Sequence, residues 1–464
     1  MPLSLRLWGR PLKGSKGVAD SLRWVDEFFR EAGPHIFARQ EDDVIILPPN
    51  QVYKANATGI ALVRHMLAGG SVCTIPGIGR EERALQVAEF VFRLRELYLG
   101  EPGALQPDET VPFSFQFTRL PILGEIAVTW RCNNACTFCY AGCGGDVPAG
   151  TPRAVSGSDG HEMTLGEVRR VIRIFRDQAK IPFFSFTGGE PLLRADLEEM
   201  IRYARRIGLQ VNLVTNGTLA DASRASSLAR SGLQTAQVSV ESPDEAVHDS
   251  LTGRAGSWRR TVDGIRALRD AGISVQTNTT VTARTAHDAW KMPAFLRSLG
   301  ISRFAMNLYI PGGKNDLPGD GGLFLPYSHA GDIIESVRSQ ARREGLIFFW
   351  YSPLPYCHYN TVARGLGNKS CAAMDGLLSV SPTGDVLPCS SYPQPMGNLL
   401  ETEFQEIWFS DRAQFFKNKK YAPAACEGCD RFVACQAACP LYWQQVGTAE
   451  IRNEQRAALQ CTGS

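Results

Sequence analysis

The sequence predicts an α/β fold built on a parallel β-sheet, with a further domain at each end. From residue 120 to about residue 345, six segments with strand character alternate with helical patterns. Parallel strands need crossover connections of about a dozen residues or more, and the helical patterns supply these connections. Strand–helix alternation over this length is typical of a complete or partial barrel. We therefore expect a partial (β/α)6 parallel barrel over residues 120–345.

The elements of this barrel follow from hydrophobic periodicity and from the turn residues between the periodic segments. The predicted strands are Glu125–Trp130, Phe183–Thr187, Val211–Thr215, Thr235–Val240, Val275–Thr280 and Phe304–Ile310. The predicted helices are Leu165–Gln178, Leu197–Ile207, Trp258–Ala271 and Trp290–Leu299. In such barrels the functional residues gather on the loops that follow the carboxyl ends of the strands.

The regions on either side of the barrel differ from it in pattern. In residues 1–110, Asp43–Leu47 and Val52–Asn56 read as paired strands, and Gly59–Leu67 and Glu81–Leu99 read as helices. This order predicts a winged-helix-like α+β domain. Residues 346–464 have weak periodicity and hold eight of the 13 cysteines, which predicts a cysteine-rich domain that folds around bound metal.

Composition argues against several classes of function. The formal net charge of +2 gives no electrostatic reason to expect nucleic acid or a membrane surface as a partner. No apolar run is long enough to span a bilayer or to act as a signal peptide, so we expect a cytoplasmic protein. In a reducing compartment, grouped cysteines are more often metal ligands or catalytic groups than disulfides.

Three thiols lie close together in the chain, at Cys132, Cys136 and Cys139. A loop this short can carry three thiolate ligands of a [4Fe–4S] cluster, which leaves one iron open to a cofactor. The alternative is structural zinc, with Cys143 as the fourth ligand. Otherwise Cys73 and Cys143 are expected to be buried or incidental thiols.

The spacing Cys-x3-Cys-x-Phe-Cys after the first predicted strand resembles the signature of the radical S-adenosylmethionine superfamily. The turn Gly188-Gly189-Glu190 after the second strand is similar to the Gly-Gly-Glu motif of that family, although alone it would be only a turn. The resemblance implies that Cys132, Cys136 and Cys139 hold the catalytic cluster. It also implies that the Gly188–Glu190 turn receives the amino group of the cofactor's methionine.

Four further residues resemble cofactor contacts of the same family. Asn216 ends the third predicted strand, and Ser239 and Glu241 end the fourth. Relatives carry Ser-x-Asp at the fourth strand to contact the ribose, so Glu241 departs from the pattern. Arg254 resembles an arginine that pairs with the cofactor's carboxylate, and a surface ion pair is the alternative for it.

The C-terminal cysteines resemble the SPASM domain, which holds two auxiliary [4Fe–4S] clusters in peptide-maturing relatives. The resemblance places Cys371, Cys389 and Cys439 on the first auxiliary cluster, with Cys357 as a possible upstream ligand. It places four others on the second cluster, namely Cys426, Cys429, Cys435 and Cys461. Zinc knuckles are the alternative to this arrangement.

The N-terminal region resembles the small domain that binds leader peptides, similar to the chaperone of pyrroloquinoline quinone biosynthesis. Such a domain offers a sheet edge to which an extended peptide can add a strand. A structural cap on the barrel is the alternative.

The family resemblance implies an enzyme that uses S-adenosylmethionine and an external electron donor such as flavodoxin or ferredoxin. A 5′-deoxyadenosyl radical would abstract hydrogen from the substrate. We expect the substrate to be a ribosomally made precursor peptide, which gains a thioether, a carbon–carbon crosslink or an oxidation. The alternatives are maturation of a small molecule such as a tetrapyrrole, and a non-catalytic metal-stabilised peptide-binding protein. Sulfatase maturation is less favoured, because those enzymes carry Asp where this chain has Ser390.

Overall fold

Two compact units make up the protein, an N-terminal unit that ends at residue 120 and a larger unit from residue 121 onward, with residues 115–117 joined to the larger one. The structure is a computed structural model, and it describes residues 21–47, 51–99, 117–143, 162–312 and 322–451. Among the described residues, no helix combines the length and apolar character that a membrane span needs.

In its described residues, the N-terminal unit has a three-stranded antiparallel sheet and three α-helices. The strands lie in the order β1 (Phe37–Arg39), β2 (Val44–Leu47) and β3 (Gln51–Lys54). The helices are Arg23–Ala32, Ala57–Leu67 and Glu81–Leu99. Asn56 starts the second helix because its side chain accepts a hydrogen bond from the Gly59 N–H at 2.8 Å.

A buried ion pair closes the turn between β1 and β2. Arg39 Nε donates to Asp42 Oδ1 at 2.7 Å, and a second guanidinium nitrogen donates to Asp42 Oδ2 at 2.8 Å. This fork geometry satisfies both buried charges, as burial requires. The apolar side chains of the three helices and of β2 pack into one core beside it.

Ten strands of the described residues form one sheet in the larger unit. Its order is β10-β9-β8-β7-β6-β5-β4-β11-β12-β13, and every neighbouring pair from β10 to β11 is parallel. The strands are β4 (Leu123–Ala127), β5 (Phe183–Thr187), β6 (Gln210–Thr215), β7 (Thr235–Ser239), β8 (Ser274–Val281), β9 (Arg303–Leu308), β10 (Ile347–Trp350), β11 (Leu377–Val380), β12 (Asp385–Leu387) and β13 (Gly397–Asn398). The predicted α/β fold with a large parallel sheet is confirmed.

Helices connect the parallel strands and cover the sheet. They are Leu165–Asp177, Leu197–Arg206, Ala222–Arg230, Glu245–Thr252, Ser257–Asp270, Met292–Ser298 and Tyr327–Arg343, followed by Phe404–Trp408, Asp411–Lys417, Phe432–Cys435 and Pro440–Val446. The first of them begins with a capping box, in which Thr164 and Glu167 each accept a hydrogen bond from the other's backbone N–H. The sequence therefore specifies where this crossover begins.

The parallel sheet is longer than the six predicted strands. β10 pairs with β9, and β11 pairs with β4, so both flanks of the sheet come from residues that we assigned to the C-terminal domain. Both strands are only four residues long. A short apolar run without alternation cannot be assigned to a strand by periodicity alone, which is why the sequence did not reveal them.

The packing of the first crossover helix on β4 depends on Gly124. A Cβ atom at this position would lie 2.5 Å from the ring of Phe175, which is fully buried and packs edge-on against Phe184. We predict that Gly124→Ala lowers the free energy of unfolding by about 1–3 kcal/mol, as overpacking of a core does. Anaerobic denaturant unfolding measures this change. Adding Phe175→Leu should recover part of the loss, and additive effects of the two changes would contradict the packing argument.

Candidate active site

The carboxyl ends of β4 to β7 bring the predicted cofactor residues to one edge of the sheet. The cysteine loop follows β4, the Gly188–Glu190 turn follows β5, Asn216 follows β6, and Glu241 follows β7. Parallel strands end at the same edge, so residues far apart in the chain become neighbours there.

The Gly188–Glu190 turn lies directly against the backbone that leads into the cysteine loop. The Gly189 N–H donates to Thr129 O at 2.7 Å, and the Glu190 N–H donates to Arg131 O at 2.8 Å. A Cβ atom on Gly188 would lie 2.3 Å from Thr129 O, and one on Gly189 would lie 2.2 Å from Arg131 O. Only glycine permits this approach, and Gly188 also has a φ of +143°.

Glu190 is fully buried and links two strand ends through its carboxylate. Oε1 accepts from the Leu192 N–H at 2.9 Å and from the Thr215 hydroxyl at 2.7 Å, and Oε2 accepts from the Asn216 N–H at 2.8 Å. Burial raises the pKa of Glu190 to about 7, against the lowering effect of these hydrogen bonds. A carboxylate offers about four acceptor positions, so room remains for a cationic donor of a ligand.

A chain of polar contacts joins Asn216 and Arg254 to the cysteine loop. Asn216 Nδ2 donates to Asn133 Oδ1 at 2.9 Å and lies 3.9 Å from Cys132 Sγ. Arg254 Nε donates to Asn133 O at 3.0 Å, and its side chain is exposed. The guanidinium is thus held beside the loop.

The helix Glu245–Thr252 holds the middle of the cysteine loop. The Ala135 N–H donates to Thr252 O at 2.9 Å, and the Thr137 N–H donates to Leu251 O at 2.8 Å. Gly253 ends this helix with a φ of +62°, and a Cβ atom there would lie 2.5 Å from Ala135 O. The loop conformation is therefore set by contacts on both of its sides.

Burial and mutual charge affect the three thiols of this loop. Burial raises the pKa of Cys132 to about 11 and holds that of Cys136 well above its usual value, and the charge of Cys139 adds to both effects. The Cys143 thiol, by hydrogen bonding to Cys139, lowers the pKa of Cys139 to about 6. A cluster binds thiolates, so iron would replace the protons of Cys132 and Cys136.

Two of the predicted ribose contacts differ in their surroundings. Glu241 is almost fully buried, and its Oε2 accepts from the Thr280 N–H at 2.8 Å. Burial raises the pKa of Glu241 to about 8. The charge of Glu241 is also among the causes that raise the pKa of Cys136, after burial and the charge of Cys139. Ser239 ends β7 and is half-buried.

The donor set fits a three-thiolate cluster with a bound cofactor. Asn134 lies between Cys132 and Cys136 in the sequence. Its buried Oδ1 has no hydrogen-bond partner among the described residues, so it can accept a hydrogen bond from a ligand. Within the described ranges, no three His, Cys, Asp or Glu side chains form a site for one metal ion. A single-ion site differs from a cluster site, because each thiolate of a [4Fe–4S] cluster binds its own iron.

The C-terminal cysteines form two sets. In the first set, burial and the charges of Cys371 and Cys439 hold the pKa of Cys389 well above its usual value. In the second set, burial raises the pKa of Cys426 to about 11, with added effects from Cys435, Cys357 and Cys429. The residue before Cys357 contacts this second set, because the Tyr356 N–H donates to Cys435 Sγ at 3.3 Å. Cys461 lies outside the described residues.

Three consecutive left-handed residues separate the two sets. Gln436, Ala437 and Ala438 have φ angles of 55°, 59° and 57° between Cys435 and Cys439. Left-handed backbone is unusual for residues other than glycine, and runs of it are rarer still. This segment lets Cys435 face one set while Cys439 faces the other.

Sequence reasoning missed a carboxylate that connects the thiol sets. Glu125 Oε1 accepts from the hydroxyls of Ser379 and Ser390, both at 2.6 Å, and Ser390 also hydrogen-bonds Tyr140. Tyr140 follows Cys139 and Ser390 follows Cys389. A single acidic residue within a predicted strand belongs to no motif, so nothing in the sequence singled it out.

The close approach of Gly189 to Arg131 generates a prediction about cluster content. We expect Gly189→Ala to displace the backbone before Cys132 and to remove one cluster, about four of about twelve irons after anaerobic reconstitution. Iron analysis and the absorption spectrum measure this loss. Gly166→Ala is the control, since a Cβ at Gly166 meets only Thr164 Oγ1 at 3.8 Å. Full iron content in Gly189→Ala would show that the turn tolerates a side chain.

Comparisons with known proteins agree with this geometry. Residues 126–296 match the model of the radical SAM superfamily, and residues 371–430 match that of an iron–sulfur cluster-binding domain named SPASM. An AdoMet-dependent heme synthase of Methanosarcina barkeri is 30% identical over 319 residues, which cover 65% of this chain and 85% of that protein. A PqqA peptide cyclase of Gluconobacter oxydans is 28% identical over 253 residues, which cover 53% and 68%.

Among solved structures, SuiB of Streptococcus suis has the same fold, with a TM-score of 0.62 at 17% identity over 88% of this chain and 95% of that one. A second structure of SuiB contains its precursor peptide SuiA and matches with a TM-score of 0.61, at 16% identity and the same coverage. Membership of a family is shown by the sequence matches, and not by this shared fold. The chain belongs to the radical SAM superfamily and to its SPASM subfamily.

Proposed function

We propose that this enzyme modifies a ribosomally made precursor peptide, and that its N-terminal unit binds the leader part of that peptide by strand addition. The observation that carries the proposal is the edge of β3. Within the described residues β3 pairs only with β2, so its other side is available to an extended chain.

The hydrogen-bond pattern identifies which backbone groups face outward. The Ala55 N–H donates to Asp43 O at 3.0 Å, which makes that pair a hydrogen-bonded one. Such pairs alternate along an antiparallel ladder, so Tyr53 and Gln51 face β2, and Val52 faces away from it. The N–H and C=O of Val52 can therefore pair with an added strand.

The comparisons support a peptide substrate in two ways. The likeness to SuiB covers 88% of this chain, more than the larger unit alone can provide, so it includes part of the N-terminal unit. SuiB binds a precursor peptide, and PqqA peptide cyclase is named for a peptide substrate. Such chemistry would install a thioether, a carbon–carbon crosslink or an oxidation.

The protein's own residues would hold the cofactors at the strand ends. When bound, the [4Fe–4S] cluster and S-adenosylmethionine supply the radical chemistry that removes a hydrogen atom from an unactivated carbon. Cys132, Cys136 and Cys139 would ligate that cluster. Glu190 would accept from the cofactor's amino group, and Arg254 is placed to meet its carboxylate.

Val52→Pro tests the proposal, because proline removes the outward N–H without breaking the β2–β3 ladder. We expect affinity for a synthetic leader peptide, taken from a precursor encoded beside the gene, to fall roughly ten- to a hundredfold, or about 1–3 kcal/mol. Fluorescence anisotropy measures it. Cofactor cleavage without substrate should not change.

Val52→Thr is the matched control, since it keeps the N–H and a β-branched side chain. It should bind the leader as the parent protein does. Equal binding by Val52→Pro and Val52→Thr would mean that the edge of β3 does not capture the peptide.

Radical maturation of a tetrapyrrole is the second candidate function. It is favoured by the AdoMet-dependent heme synthases, of which this chain covers 80–85% at 28–30% identity. That similarity spans 65–66% of this chain, so it leaves about a third of the chain without a counterpart.

Turnover assays with each substrate class distinguish the two functions. With the reconstituted enzyme, we expect mass changes in the precursor peptide and none in a panel of tetrapyrroles. A mass change in a tetrapyrrole, with the peptide unchanged, would reverse the assignment.

A further inference from the structure

Cys426, Cys429 and Cys435 lie on one compact turn of the C-terminal region. The Cys429 N–H donates to Cys426 O at 3.2 Å, and the Phe432 N–H donates to Cys429 O at 3.0 Å. The Cys435 N–H then donates to Arg431 O at 2.9 Å. These successive hydrogen bonds fold the segment back on itself and bring its three thiols to one place.

A second turn carries Cys357 to the same place. The N–H groups of His358 and Tyr359 both donate to Pro355 O, at 2.9 and 3.1 Å. At the centre of this turn, the Tyr356 N–H donates directly to Cys435 Sγ at 3.3 Å. The residue before Cys357 therefore already touches a sulfur atom of the set.

The chain that follows this turn also contacts the second set of thiols. Asn368 Nδ2 donates to Ala434 O at 3.0 Å, one residue before Cys435. The segments on the two sides of Cys357 therefore each make a hydrogen bond to the Ala434–Cys435 stretch.

The electrostatics of the thiols agree with this geometry. After burial, the charge of Cys357 is among the causes that raise the pKa of both Cys426 and Cys435. In the other set, the charges that raise the pKa of Cys389 come from Cys371, Cys439 and Glu125.

We propose that Cys357 is a ligand of the second auxiliary cluster, where it completes a four-thiolate site with Cys426, Cys429 and Cys435. Each of the four thiols would lose its proton on binding, and each would hold one iron of a [4Fe–4S] cluster. This assignment differs from the family pattern, which places Cys461 on this cluster. It holds for either candidate substrate, because it concerns only the metal site.

The test compares the effect of replacing Cys357 with the effects of replacing one cysteine from each set. Cys357→Ser, Cys426→Ser and Cys371→Ser are each made in the full chain and reconstituted anaerobically. Iron content is measured together with the EPR spectrum of the reduced clusters. Cys426→Ser reports on the second set and Cys371→Ser on the first, while Cys73→Ser controls for loss of an exposed thiol.

We expect Cys357→Ser to reproduce the change that Cys426→Ser causes in the EPR spectrum. A variant that combines Cys357→Ser with Cys426→Ser should lose no more iron than either single variant. All should keep about eight of about twelve irons if the second cluster is lost outright. Unchanged spectra in Cys357→Ser, or a change that matches Cys371→Ser, would overturn the assignment.

A second variant guards against misfolding. Cys357→Asp retains an anionic ligand, so it should restore the iron that Cys357→Ala loses, with a shifted reduction potential for one cluster. If Cys357→Asp and Cys357→Ala contain the same reduced amount of iron, Cys357 supports packing rather than metal. Gel filtration and near-ultraviolet circular dichroism compare the folds of the two variants directly.

Discussion

The backbone contact between the Gly188–Glu190 turn and the segment that follows β4 is the constraint on which the candidate active site depends. It continues the β4–β5 ladder past the end of both strands, since the Val128 N–H donates to Thr187 O at 2.9 Å just before it. Because of this extension, Cys132 and Glu190 emerge side by side. Glu190 then fixes Asn216, and Asn216 reaches back to the cysteine loop.

Most of the central fold was predictable because its elements carry strong periodic signals. All six predicted strands of the barrel are present, with ends that move by up to three residues. Helix Arg23–Ala32 and strand β1 were not predicted. β1 is only three residues long, too short for an alternating pattern to be recognised. β10 and β11 were not predicted for a similar reason, since each is short and is stabilised by pairing with a strand distant in the chain.

The site residues divide in the same way. Contiguous motifs such as the cysteine loop and the Gly188–Glu190 turn could be found because neighbouring residues act together. Glu125 and Lys419 could not, since each acts alone beside residues remote in sequence. Lys419 pairs with Asp375 at 2.8 Å and donates to Cys371 O at 3.2 Å. Tertiary packing also decides which set of thiols the loop of Cys357 contacts. The spacing of the cysteines in the sequence therefore could not predict the set to which Cys357 belongs.

Because Gln436, Ala437 and Ala438 are all left-handed, the folding of the segment between Cys435 and Cys439 is expected to depend on bound iron. Each such residue costs roughly 1–2 kcal/mol, so the three together cost on the order of 3–6 kcal/mol, comparable with the whole stability of a small domain. Metal–thiolate bonds at Cys435 and Cys439 would be strong enough to offset that cost. When iron is scarce, this peptide is expected to relax first, and proteases would meet an opened C-terminal region on a barrel that is still intact.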